Sequence, residues 1–237
     1  MPADSSFKGF SPETIGFFLQ LNQNNHKTWF DAHRQQYDKA VLNPSRAFVE
    51  ALGSRLEAIA PGVHADPRIN RSIFRINRDV RFSKDKSPYK TYFSLIFWEG
   101  QGPKLECSSF YFHVEPPTLL LGAGIYIFPS HILKAYRDAV IDPEQGEALV
   151  QAVEAVQQAG YNLDGKHYKR VPRDYPADHE RVELLLYNGL TTGYDTVIPE
   201  AFYTAELVDY CFENFLKMLP LHRWLVELTA RMRAMEA

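Results

Sequence analysis

Tyr92-Phe93-Ser94-Leu95-Ile96-Phe97-Trp98, Ser109-Phe110-Tyr111-Phe112-His113-Val114 and Leu119-Leu120-Leu121-Gly122-Ala123-Gly124-Ile125-Tyr126-Ile127-Phe128 follow one another in the middle of a 237-residue chain. Each run is short and rich in aromatic and aliphatic side chains, the composition that fits a pleated, half-buried surface. Between them lie Gly100-Gln101-Gly102-Pro103 and Glu115-Pro116-Pro117, residues that turn the chain. Connections this short join antiparallel neighbours, because a parallel pair needs a crossover of a dozen residues or more. The three runs therefore predict an antiparallel meander.

Upstream, the set Phe74, Ile76, Val80, Phe82 alternates with Arg75, Asn77, Asp79, Arg81, interrupted at Arg78. This period of two predicts a further strand running into a turn. Earlier still the period changes to that of a helix. Ser11-Pro12 reads as a cap with proline at the first helical position, with Ile15, Phe18 and Leu19 on one face. Trp29, Ala32, His33 and Tyr37 continue the pattern, then Phe48, Leu52 and Leu56 after Asn43-Pro44. Beyond Pro129-Ser130, helical stripes return in Ile132 to Val140 and, after the cap Asp142-Pro143, in Leu149 to Val156. A last helical stretch, Pro199–Met232, is expected to break at Pro220. Tyr161 to Tyr175 reads as an ordered loop or short strand. Helices, then strands, then helices give an α+β class: a mostly antiparallel central sheet flanked by N-terminal and C-terminal helices.

One domain is expected for residues 1–237, with residues 1–6 as a flexible tail. Two cysteines, Cys107 and Cys211, are too few for a disulfide framework, lack CxxC spacing and suit a reducing compartment. No apolar run approaches bilayer length and the N-terminus has no leader pattern, so a cytoplasmic protein without a membrane span is expected. Oligomeric state is not written in the sequence. There is no GxGxxG, GxxxxGK[ST], GxSxG or HExxH, so no cofactor and no metal is expected.

Charge is distributed unevenly. From Arg68 to Lys90 eight basic residues face two acidic ones, a local balance of +6 on a chain whose net charge is −3. The low net charge disfavours a protein that coats nucleic acid without specificity. The local excess marks Arg75, Arg78, Arg81, Lys84, Lys86 and Lys90 as candidate ligands for an anion, through guanidinium forks and mobile ammonium charges. Phe82, Tyr89, Tyr92 and Phe93 offer stacking faces for a base. The structural alternative is a salt-bridge network in which Asp79 and Asp85 pair with these cations.

His113 and Glu115 stand two apart on a strand and share a face, so they are candidates for acid and base. The alternative is a hydrogen-bonded or exposed histidine. His167, Lys169, Arg170, Arg173 and Asp174 lie in the polar loop, which either covers a site or straps the last helices. The turn Asn24-Asn25-His26-Lys27-Thr28-Trp29 reads as a helix cap with an anchoring tryptophan, its amides within reach of a ligand.

Three stretches, Asn24-Asn25-His26-Lys27-Thr28-Trp29-Phe30 with Arg34 and Tyr37, Ser72 to Thr91, and Arg170-Val171-Pro172-Arg173-Asp174-Tyr175, resemble the family known as domain of unknown function 2461. The likeness runs from about Phe7 to the final helix. It implies a fold and no reaction. The functional expectation is a domain binding a phosphorylated or otherwise anionic ligand; a nucleic-acid-binding module and an enzyme on a small anionic substrate are the alternatives.

Overall fold

A computed structural model describes residues 6–236; the expected tail, apart from Ser6, lies outside the described residues. The chain is α+β. Helices α1 (Pro12–Gln23), α2 (Lys27–Ala32), α3 (Arg34–Tyr37) and α4 (Asn43–Leu56) precede strands β1 (Val63–His64), β2 (Phe93–Glu99), β3 (Ser109–Glu115) and β4 (Thr118–Ile125). Helices α5 (Ser130–Ile141) and α6 (Pro143–Gln158), strands β5 (Asn162–Lys166) and β6 (Tyr187–Val197), and helix α7 (Leu207–Glu236) complete it. The strands form one six-stranded antiparallel sheet in the order β1-β2-β3-β4-β6-β5. The three central runs became β2, β3 and β4 in sequential order.

Several local expectations fail for identifiable reasons. Ser72–Phe82 is no strand: among the described residues it makes only isolated bridges, Ile73 to Ile69 and Leu95, and Asn77 to Tyr89. Its partner segment carries Pro88, whose missing N–H removes a ladder donor, and Phe82 at the far end is 96% exposed. Ile73 and Ile76 are the buried anchors instead. In α1 it is Thr14, Phe17, Phe18 and Leu21 that are buried while Leu19 faces solvent. Helix α7 runs through Pro220 unbroken; Met218, Leu219, Leu221 and Leu225 are all buried around it, and such packing outweighs one lost hydrogen bond. Strand β6 went unseen because Gly189, Gly193 and its threonines dilute the apolar signal. A Cβ on Gly189 would stand 2.0 Å from the Tyr126 carbonyl oxygen, so close backbone approach selects the glycine.

Two compact units alternate along the sequence. Of the described residues, the first comprises 6–97, Tyr111–Leu121 and Asp195–Glu213, the second Trp98–Phe110, Gly122–Tyr194 and 214–236. The first is built on aromatic rings: Phe10 stacks on Phe202 at 4.8 Å, Phe48 meets Phe112 at 5.0 Å and Phe18 meets Phe93 at 5.7 Å. Offset and edge contacts of this kind add to the burial of large apolar area. The second has an aliphatic centre around Tyr136, with Leu149, Val156, Leu190, Leu221 and Leu225 fully buried. There β5 pairs with β6 in a register that sets Leu163 opposite Thr192 and Lys166 opposite Tyr187.

Candidate anion site

The basic segment folds back on itself within the first unit. Arg78 N–H donates to the Pro88 carbonyl at 2.9 Å and Lys90 N–H to that of Ile76 at 2.8 Å. Asn25 clamps the return limb, its amide donating to the Tyr89 carbonyl at 2.9 Å and its carbonyl accepting from the Tyr89 N–H at 3.1 Å. The Tyr89 ring stacks on Phe30 at 4.2 Å. With Ile73 and Ile76 buried, Arg75 and Lys90 come to the rim of the same hollow.

The six candidate cations then separate into a bonded set of three, one exposed lysine and a pair at the hollow. Arg81 holds Asp79 in a fork, Nε to Oδ1 at 2.9 Å and Nη2 to Oδ2 at 2.6 Å, and this keeps the Asp79 carboxyl below its ordinary range. Arg78 pairs with Asp85 and donates to the Ser87 carbonyl at 3.3 Å. Asp85 is pulled down to about 2, chiefly by the Ser87 hydroxyl and N–H and then by Arg78. Lys86 Nζ donates to the Val80 carbonyl at 2.9 Å. For Arg78, Arg81 and Lys86 the arrangement is thus a local network that holds the loop. Lys84 is exposed on that loop, away from the hollow's lining.

Arg75 and Lys90 are different. Neither makes an ion pair among the described residues. Lys90 is half-buried, with Nζ 5.5 Å from the centroid of the Phe74 ring and 5.5 Å from that of Tyr92. Its pKa is lowered, first by burial and then by the charge of Arg75. Together with Tyr37, Ser45, Phe74 and Tyr92 the two cations line a cavity of about 10 Å³, room for one water. Ser45 is 1% exposed, and its Oγ has no hydrogen-bond partner among the described residues.

His113 belongs to the same neighbourhood. Strand alternation buries Phe112 and Val114 and leaves Tyr111 and His113 half-buried on the other face. The imidazole lies against Tyr92 with centroids 4.5 Å apart, so His113 and Lys90 share one ring. Nδ1 is 3.1 Å from Tyr111 Oη, and Nε2 is 3.8 Å from Glu115 Oε2. Burial is the main cause lowering the His113 pKa, with Glu115 acting against it. Glu115 is more open, its Oε1 3.5 Å from the Thr91 hydroxyl. The described residues contain no group of three His, Cys, Asp or Glu able to hold a metal.

The polar loop, in the second unit, is strapped down rather than gathered into a site. His167 and Tyr168 N–H groups both donate to the Leu186 carbonyl at 2.9 Å, and Tyr175 Oη donates to Asp138 Oδ1 at 2.8 Å. Lys169, Arg170, Arg173 and Asp174 are exposed. In the Asn24–Trp29 turn it is His26 that caps, accepting from Trp29 N–H at 3.3 Å, while Asn25 is occupied by Tyr89. One constellation had no signal in the sequence. In the second unit Ser108 Oγ lies 2.9 Å from His222 Nδ1, and His222 Nε2 lies 2.9 Å from Glu99 Oε2. His222 is 114 residues from Ser108 and 123 from Glu99, and it sits among core residues of α7. Ser108 and His222 are fully buried, so the trio satisfies a buried imidazole.

No curated protein matches the chain. The model of the family described as conserved hypothetical protein, DUF2461, matches residues 13–224, nearly the whole length, and the chain belongs to that family.

Proposed function

We propose that the protein binds a small molecule bearing a carboxylate or phosphate at the hollow between Arg75 and Lys90. The observation that carries this reading is the pairing of two like charges, neither of them in an ion pair among the described residues although Asp79 senses the charge of Arg75, with Lys90 half-buried against aromatic rings. Cations held together without an ion-pair partner raise each other's free energy, and an anion bridging them relieves that repulsion. The cavity admits no more than a water, so the anion lies across the mouth, with Tyr92 as one wall. We place this activity in the cytoplasm, a reading supported by two buried free thiols; no helix among the described residues is long and apolar enough to cross a membrane.

Thermal melts in phosphate, acetate and propionate at constant ionic strength test the site through linkage. Stabilisation is expected in the wild type and in Arg81→Gln, whose cation serves Asp79, and is expected to vanish in Arg75→Gln and Lys90→Met. An equal response in all four proteins sinks the reading.

A second reading rests on Phe82, which stands in solvent beside Arg81 at 5.9 Å, with Lys84 and Lys86 on the same loop. This is a stacking face with phosphate contacts for single-stranded nucleic acid. It requires oligonucleotide affinity that falls steeply between low and moderate salt; undetectable binding at low salt rejects it.

A further inference from the structure

We infer that Lys90 is a carbonyl-reactive amine, and that the ligand of this site is a small oxo acid whose carboxylate rests on Arg75 while its carbonyl carbon meets Lys90 Nζ. This rests on the anion site proposed above and goes a step further, from binding to covalent chemistry.

A lysine attacks a carbonyl only as the free amine, and an ordinary exposed lysine is an ammonium ion at neutral pH. Two features set Lys90 apart. Phe74 and Tyr92 take it out of water from two sides, and burial disfavours the charged form. Arg75 beside it adds a guanidinium charge, and the repulsion between them bears on the Lys90 proton. The ring contacts favour the ammonium, yet the balance lies the other way, with the pKa lowered. No carboxylate among the described residues holds Lys90 as an ammonium. Desolvation and a neighbouring cation are the two devices that activate lysine nucleophiles.

The same arrangement names the substrate. A guanidinium fork matches a carboxylate, and an amine on the same rim meets a carbonyl one or two bonds further along. The cavity of about 10 Å³ beside Ser45 admits no part of such an acid, which lies across the mouth; acids of two or three carbons are the smallest that carry both groups. In the step itself the Nζ lone pair forms a C–N bond as the carbonyl π pair moves to oxygen. A proton passes from nitrogen to that oxygen, giving a carbinolamine. A second proton lets the hydroxyl leave as water while the nitrogen lone pair forms the C=N bond. One water is released and nothing is oxidised or reduced. His113, against the other partner of Lys90, the Tyr92 ring, and backed by Glu115 and Tyr111, supplies a group able to move those protons.

The test is reductive trapping of the full chain with glyoxylate or pyruvate and cyanoborohydride at neutral pH, with the modified lysine located by peptide mass spectrometry. Lys90 is expected to be labelled several-fold faster than Lys84 and Lys86, and Arg75→Gln to slow labelling at Lys90 without affecting the other two. Labelling spread evenly over the three lysines, or absent from Lys90, overturns the inference. Lys90→Arg, with its fold checked by thermal melting, should lose the fast adduct. Stabilisation by propionate without any Lys90 adduct discards the covalent step and leaves the anion site standing; loss of both removes the two together.

Discussion

Asn25 and Tyr89 stand 64 residues apart and exchange two hydrogen bonds through one side-chain amide. The contact joins the Asn24–Phe30 stretch to the Ser72–Thr91 stretch and fixes the backbone immediately before Lys90. Asn25→Ala leaves the Tyr89 N–H and carbonyl unpaired in a partly buried place, and is expected to cost about 1–3 kcal/mol. Urea unfolding measures that loss. The variant should also lose part of its stabilisation by propionate, because the limb that carries Lys90 loosens.

The lowered pKa of Lys90 has two causes that point the same way, burial first and the charge of Arg75 second. Removing either moves the value upward. Arg75→Gln is therefore expected to raise it in part, and Tyr92→Ala, which admits water to one side, to raise it further. NMR titration of the lysine side-chain resonances reads both shifts. A value unmoved by Arg75→Gln would mean that the two cations do not sense each other.

His222 is expected to make stability depend on pH. Burial lowers its pKa, with Glu99 opposing, so the folded state prefers the neutral ring. That contribution is fully present above the unfolded value of about 6.5 and is lost as pH falls through the lower folded value. His113, also lowered by burial, adds to the trend with the same sign. His222→Asn should flatten the profile of unfolding free energy between about pH 7 and 5. His222→Ala, which takes its partner from the buried Ser108 hydroxyl and opens a hole, should cost about 2–4 kcal/mol in urea unfolding.

Phe82 and Ile76 have the same place in the alternating pattern and opposite fates. Phe82 is 96% exposed and Ile76 8%. Phe82→Ser is expected to change stability by no more than about 0.5 kcal/mol, whereas Ile76→Ala should cost about 2–4 kcal/mol. Comparable losses in chemical denaturation would show that Phe82 is covered in solution.

The central strands were legible because their signal is local. β2, β3 and β4 are runs of aromatic and aliphatic residues separated by turn formers, and neighbours in sequence became neighbours in the sheet. Strand β6 was illegible because its residues are chosen for backbone proximity, as at Gly189, and not for apolar content. The continuity of α7 through Pro220 was decided by burial on both sides of the proline, which propensity does not report.

For the candidate site, the amino-acid order by itself determined that cations would crowd between Arg68 and Lys90 in an otherwise acidic chain, and that His113 and Glu115 would share a strand face. Only the tertiary structure decided which cations remain without a carboxylate. Asp79 reaches Arg81 two residues away, but Asp85 reaches Arg78 because the segment doubles back between Arg78 and Pro88, and Asn25, in the turn between α1 and α2, holds the return limb. Arg75 and Lys90 meet for the same reason, and Tyr92 brings His113 to them from a different strand. Charge is a property of composition, but its neutralisation depends on which groups lie within a few ångströms, and long-range contacts set that distance.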